Sequence, residues 1–274
     1  MLPQFAPGPA LLEALPQAPL RDDLGGQLAP FEPVSLAEMD SVALFERRDT
    51  KFVLSETRLA AFLEALAGRY RVLEIDDTRV HGYRTVYFDT PGLGLFYDHH
   101  NARARRFKVR SRMYVDSHAS YFEIKAKDGR ENTVKSRTRT QRMVTAVSPV
   151  ESTFIETHAP YPMGELAPRL LNSFSRITLV DLERGERLTL DLGLTFAANG
   201  EVAGMPGLVV AELKQPRAAH DSPFLALARE TNLHPSGFSK YCIGVSLLYP
   251  GIKHNAFNPE LRLARRITGA TDVR

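Results

Sequence analysis

Tryptophan is absent from the 274 residues, and cysteine occurs once, at Cys242. A single thiol closes no intramolecular disulfide, which suits a reducing compartment. The chain has no Cys-x-x-Cys and no His-x-x-x-His spacing, so a zinc site is not expected. No apolar run approaches the roughly 20 residues that span a bilayer. The first residues, MLPQFAPGPALLEALP, lack the basic start and long apolar core of a secretory signal. These absences point to a soluble, cytoplasmic protein without a membrane span.

What is present is an ordinary globular composition with a localised excess of positive charge. The hydrophobic fraction of 43% suffices for a sizeable core. The net charge of +3 is modest. Residues 103–142, however, hold a dense block of Arg and Lys with few acids, which points to a local polyanion site and an acidic partner.

Three regions are expected. Residues 1–35, rich in Pro, Ala, Gly and Leu without sustained periodicity, resemble a loosely ordered arm. Residues 36–252 carry the folded unit. Residues 253–274 form a tail helix capped by Asn258, with Pro259 first and Arg262, Arg265 and Arg266 on a solvated face. Within the folded unit, eight segments have strand character: 47–54, 82–89, 105–115, 120–127, 132–139, 174–181, 187–196 and 208–214. Most connections are too short for crossover helices, so the fold class is mainly antiparallel β (α+β), and eight such strands can close into a barrel. Flanking helices are expected in SETRLAAFLEAL with Ser55 as cap, in SPFLALARETNL with Ser222 as cap, and in SKYCIGVSLL.

The strands share an unusual charge pattern. In RRFKVRSRMY, Arg106, Lys108, Arg110 and Arg112 alternate with Phe107, Val109 and Met113, so one face carries cations and the other apolar groups. Glu123, Lys125 and Lys127 share a face, as do Lys135, Arg137 and Arg139, then Arg187 and Asp191, then Glu212 and Lys214, then Arg47, Asp49 and Lys51. A single strand of this kind is ordinarily half of a solvated sheet. Repetition in six strands suggests cations facing an enclosed space, where bound phosphates relieve their repulsion through Arg forks and Lys point charges. Periodicity alone also allows the inverse, a basic exterior suited to RNA or acidic membranes. The isolated acids favour the inward arrangement, because a nucleic-acid surface gains nothing from them. In-phase carboxylates can hold a divalent cation shared with phosphates.

The ordered series RRDTKFVL, YRTVYFDT, RFKVRSRMY, FEIKAK, NTVKSR, RLTLDLGL, VAELK and FSKYCIG resembles the VTC (vacuolar transporter chaperone) domain, a polyphosphate polymerase of the CYTH-like triphosphate tunnel metalloenzyme superfamily. The resemblance covers residues 44–249 and implies an eight-stranded closed tunnel barrel lined by cations. It implies metal-dependent transfer of the γ-phosphoryl group of ATP to a growing inorganic polyphosphate, with Mn²⁺ or Mg²⁺ as cofactor and no nucleic acid as partner. The implied catalytic cations are Lys51, Lys108, Arg110, Lys125, Arg176, Arg187 and Lys240. Lys135, Arg137, Lys214 and Ser239 would bind substrate, and Glu212, with Asp191 and Glu123, would hold the metal.

One departure bears on the reaction. Hydrolytic members of that superfamily carry Glu-x-Glu-x-Lys on the first strand, whereas Arg47, Asp49 and Lys51 stand here, which favours transfer over hydrolysis. A triphosphatase and a non-enzymatic polyanion binder are the competing readings. Other residues have plainer expected roles: Glu212 and Lys214 alone suggest only an ion pair, Ser239 equally a helix cap, Asp89 a turn former, and Cys242 a core thiol. The adjacent His99 and His100 point apart and are not expected to bind metal.

Overall fold

The computed structural model describes residues 24–41, 47–129, 133–159, 165–217 and 221–269. Its strands are β1 (Pro33–Val34), β2 (Arg47–Ser55), β3 (Arg71–Leu73), β4 (Val80–Asp89), β5 (Arg105–Tyr114), β6 (Ser120–Asp128), β7 (Thr133–Thr140), β8 (Ala167–Asp181), β9 (Glu186–Ala198), β10 (Glu201–Met205) and β11 (Leu208–Pro216). The helices are α1 (Leu24–Leu28), α2 (Leu36–Ser41), α3 (Leu59–Leu66), α4 (Gly94–His100), α5 (Pro149–His158), α6 (Pro223–Glu230), α7 (Lys240–Leu248) and α8 (Asn258–Thr268).

The strands make one sheet in the order β2-β11-β9-β8-β4-β5-β6-β7, with β1, β3 and β10 at its margin. Every pairing along that path is antiparallel. Among the described strands, β1 and β3 are the parallel pair. Each of the eight expected segments corresponds to one strand of the path. Gly193 adopts φ 61° where the β8–β9 register shifts at Ser173/Ser175, a left-handed backbone that a Cβ would oppose.

In place of the expected closed barrel, the described residues form a strongly curled half-barrel in which the end strands β2 and β7 are not paired. The outer edge of β2 is already occupied. Phe52 bridges Pro235, and the Ser236 N–H donates to the Lys51 carbonyl at 2.8 Å. At this point the segment before α7, rather than β7, lies against β2. β7 itself is mostly exposed.

Two apolar clusters cover the face opposite the cations. Phe52, Leu179, Leu190 and Leu213 pack under α3 and α6. Val86, Val109 and Phe122 pack with Ile155 of α5. A third cluster lies on the cation-bearing face, where Val53, Phe174, Leu194 and Val210 meet Tyr241 and Val245 of α7 and Leu261 of α8. The single thiol, Cys242, is buried in this cluster.

The ends of the expected regions differ in detail. Leu24, Leu28 and Phe31 are buried against α3, because they complete the apolar cover over β2 and β11, so the last part of the expected arm is packed. Residues 1–23 lie outside the described residues. In the tail helix, Phe257 is the residue at the cap and Asn258 opens the helix, with no side-chain capping bond. Ser55 likewise makes no capping bond; its hydroxyl contacts Thr57 at 2.8 Å. No helix among the described residues is long and apolar enough to cross a membrane.

Candidate functional site: a cation-lined hollow

The alternating strands bring their charged residues to one face, and curling brings distant strands together over it. In register, Lys51 lies beside Glu212, Glu212 beside Thr189, Arg176 beside Asp191, Arg110 beside Glu123, and Lys108 beside Lys125. β2 and β5 stand far apart along the sheet, yet Lys51 and Lys108 reach adjacent residues, the Phe238 carbonyl and the Ser239 hydroxyl. Lys125 on β6 feels Glu212 on β11. Lysines from distant strands thus converge on the segment entering α7, so the cations point inward and the inverse arrangement is set aside.

α7 completes the site. Ser239 caps it, accepting from the Cys242 N–H at 3.4 Å, and its hydroxyl also accepts from Lys108 Nζ at 3.0 Å. Lys51 Nζ donates to the Phe238 carbonyl at 2.9 Å. Lys240 reaches Asp191, which also takes Arg176 through Nε at 2.5 Å and Nη2 at 2.9 Å. Tyr241 donates to buried Asp89. The Asp89 carboxylate also accepts from the backbone N–H groups of Leu95 and Phe96, both at 2.8 Å, and so ties the start of α4 to α7. It is more than the expected turn former.

Each carboxylate of the hollow already has a cation partner. Glu123 takes Arg110 at 2.7 Å and Lys135 at 2.5 Å, and Glu212 takes Lys214 at 2.6 Å. Burial alone would raise the pKa of Glu212, but Lys214, Lys51 and Lys125 hold it well below the usual carboxylate range. Burial likewise opposes ionisation of Asp191, and Arg176 and Lys240 outweigh it, bringing the pKa to about 2. The lysines pay in the other direction. Burial takes Lys108, Lys135 and Lys240 down to about 8, against partial support from Glu123 for Lys135 and from Asp191 for Lys240. Lys125 and Lys214 are also lowered, chiefly by burial.

Among the implied residues, Lys51, Lys108, Arg110, Lys125, Lys135, Arg176, Lys214, Ser239 and Lys240 therefore share one hollow. Arg187 stands at the start of β9, where its guanidinium donates to the Met39 carbonyl at 3.3 Å. Arg137 is exposed and lies over the Tyr121 ring, 5.0 Å from its centroid. Sequence reasoning put Arg112 in the cation row with Arg110 but gave it no role in the site. The residue is 8% exposed, and its Nε has no hydrogen-bond partner among the described residues. The part played by the Phe238 carbonyl was invisible, because a backbone acceptor leaves no mark on the sequence.

Among the described residues, no three His, Cys, Asp or Glu side chains gather as a metal group. Glu123 is held between Arg110 and Lys135 and is poorly placed to serve a cation. Glu212 has a single lysine partner and registers with Thr189, two positions from Asp191 on β9. Asp191 is taken up by Arg176 and Lys240 as Glu123 is by its own pair, so Glu212 is the carboxylate that best fits a Mg²⁺ or Mn²⁺ ion arriving on phosphates, which needs only one or two carboxylates.

No curated protein matches the chain. Among solved structures, a candidate adenylate cyclase of Vibrio parahaemolyticus is similar at 15% identity and TM-score 0.45, over 73% of this chain and 98% of that one. The PH1819 protein of Pyrococcus horikoshii OT3 is similar at 11% identity and TM-score 0.43, over 73% and 98%. The Hippeastrum protein HpAC1, described as having a dominant triphosphatase activity, is similar at 14% identity and TM-score 0.42, over 77% and 100%. The VTC domain family model matches residues 46–249, which contain every strand of the hollow, and the chain belongs to the VTC domain family.

Proposed function

We propose that the protein is a phosphotransferase that moves the γ-phosphoryl group of ATP onto the end of an inorganic polyphosphate chain held in the hollow. The observation that carries this reading is the excess of buried cation over carboxylate on the inner face. Lys51, Lys108 and Lys125 meet there with their positive charges only partly compensated, an arrangement that an extended polyanion would relieve.

Phosphoryl transfer asks for positioning and charge stabilisation more than for covalent chemistry. In this reading Lys51, Lys108, Arg110, Lys125 and Arg176 bind non-bridging oxygens and keep the reacting phosphates in line. Lys240 is steered by Asp191 and reaches the same space. Ser239 positions Lys108 through its hydroxyl and adds a further phosphate contact. Lys135 and Lys214 extend the cation track along β7 and β11, and Arg137 and Arg187 would contact the chain at its edges. Glu212 would hold Mn²⁺ or Mg²⁺, which would supply charge neutralisation to the phosphates, with Asp191 available only if Arg176 or Lys240 turned to substrate. An acceptor phosphate is already anionic and needs no general base. Water would need one, and Asp191 and Glu123 are committed to cations. That commitment favours transfer over hydrolysis.

Purified protein given ATP and Mn²⁺ is expected to produce a polyphosphate ladder on a gel. Orthophosphate without a ladder would show a triphosphatase, and no turnover at all would show a binding module. Glu212→Ala is expected to abolish turnover while polyphosphate binding persists.

A further inference from the structure

The cation rows end in an aromatic band. Along the inner face of β5, Lys108, Arg110 and Arg112 are followed by Tyr114. Tyr83 stands directly beside Tyr114 on β4, and Tyr121 beside Arg112 on β6. The Tyr83 and Tyr114 ring centroids are 5.0 Å apart, and those of Tyr114 and Tyr121 5.9 Å. Tyr83 is buried, with the Arg176 guanidinium 4.9 Å and the Arg112 guanidinium 5.6 Å from its centroid. Tyr114 and Tyr121 are only partly buried. The band therefore continues the phosphate-facing surface and leaves two rings partly accessible, Tyr121 with the exposed Arg137 guanidinium over one face. Next to them lies Arg112, nine-tenths buried, with an Nε that has no partner among the described residues.

A phosphate chain has no use for aromatic surface. A nucleobase does, because every base has a π-face that stacks on tyrosine and on guanidinium planes. At about 3.3 Å per residue, Tyr114 lies about 13 Å along the strand from Arg110, a length comparable to an extended triphosphate with its sugar. We propose that Tyr114 and Tyr121, with Arg112 beside them, form the subsite for the nucleoside half of the donor, so that the hollow distinguishes a nucleoside triphosphate from a bare phosphate chain of equal length. This rests on the phosphotransferase reading for the identity of the donor.

Titration calorimetry with ATP and with tripolyphosphate, each with Mg²⁺, tests the proposal without relying on turnover. The unaltered chain is expected to bind ATP more tightly than tripolyphosphate. Tyr114→Ala with Tyr121→Ala is expected to weaken ATP binding about tenfold, within the range for loss of base stacking, while tripolyphosphate binding stays within about twofold. Tyr114→Phe with Tyr121→Phe keeps the rings and is expected to leave both ligands unchanged. If the double alanine variant does not fold, Tyr121→Ala alone is read in the same way. Equal affinity of the unaltered chain for the two ligands, or parallel loss of both in a folded alanine variant, overturns the subsite and leaves the phosphate-binding reading standing. If the unaltered chain binds neither ligand, both fall.

Discussion

A buried lysine surrounded by other cations holds its proton poorly, and Lys108 and Lys240 are each brought to about 8 from the ordinary 10.5. Between these values the unfolded chain binds more protons than the folded one, so these residues make the ligand-free protein more stable as pH rises from 8 toward 10.5. Phosphate reverses the preference, because it stabilises the protonated lysines. Tripolyphosphate binding is therefore expected to take up protons near pH 8 and to weaken as pH climbs from about 7 to about 9. Calorimetry at pH 8 in buffers of different ionisation enthalpy measures the uptake directly, and binding with no proton uptake would contradict the placement of these lysines. At this scale the sequence was informative where side chains follow strand phase, as for Lys108 and Arg110. It was silent on partners, such as Ser239 for Lys108 and the Phe238 carbonyl for Lys51, that only the approach of α7 supplies.

Among the elements, α7 positions the most chemistry, since its start carries Ser239 and Lys240 and its body fills the inner apolar cluster. Gly244 lets it approach: a Cβ there would sit 2.6 Å from Leu170 Cδ2 and 2.6 Å from Phe196 Cδ1. Both neighbours are fully buried, so neither has room to yield. Gly244→Ala is expected to cost about 1–3 kcal/mol of stability, as overpacking does, and to weaken phosphate binding by displacing Ser239 and Lys240. Chemical denaturation and calorimetry on the same variant check the two effects, and an unaltered stability would show that α7 has slack. The eight long strands were legible because period-two alternation is a local signal. The helix at Gly94–His100 was not, since its start depends on Asp89 from the preceding strand and has no capping side chain of its own. The helix at Pro149–His158 did carry a local signal, the Ser148/Glu151 capping box. That signal was passed over because Ile155 is its one buried residue and periodicity is weak. Closure of the barrel was beyond the sequence, because alternation specifies faces and leaves open which edge the segment at Pro235 will occupy.

For the whole molecule, a net charge of +3 conceals a strong internal asymmetry. Helices α3, α5 and α6 cover the apolar face of the sheet, so the cations are left to line the hollow. Folding a chain with that much like charge on one inner face stores repulsion that only anions or the few paired carboxylates relieve. A crystal structure of the protein grown with tripolyphosphate tests this most directly. The account predicts phosphates within hydrogen-bond distance of Lys51, Lys108, Lys125 and Arg110 inside the curl of the sheet. Phosphates confined to the outer surface, with those four side chains unchanged and empty-handed, would contradict it.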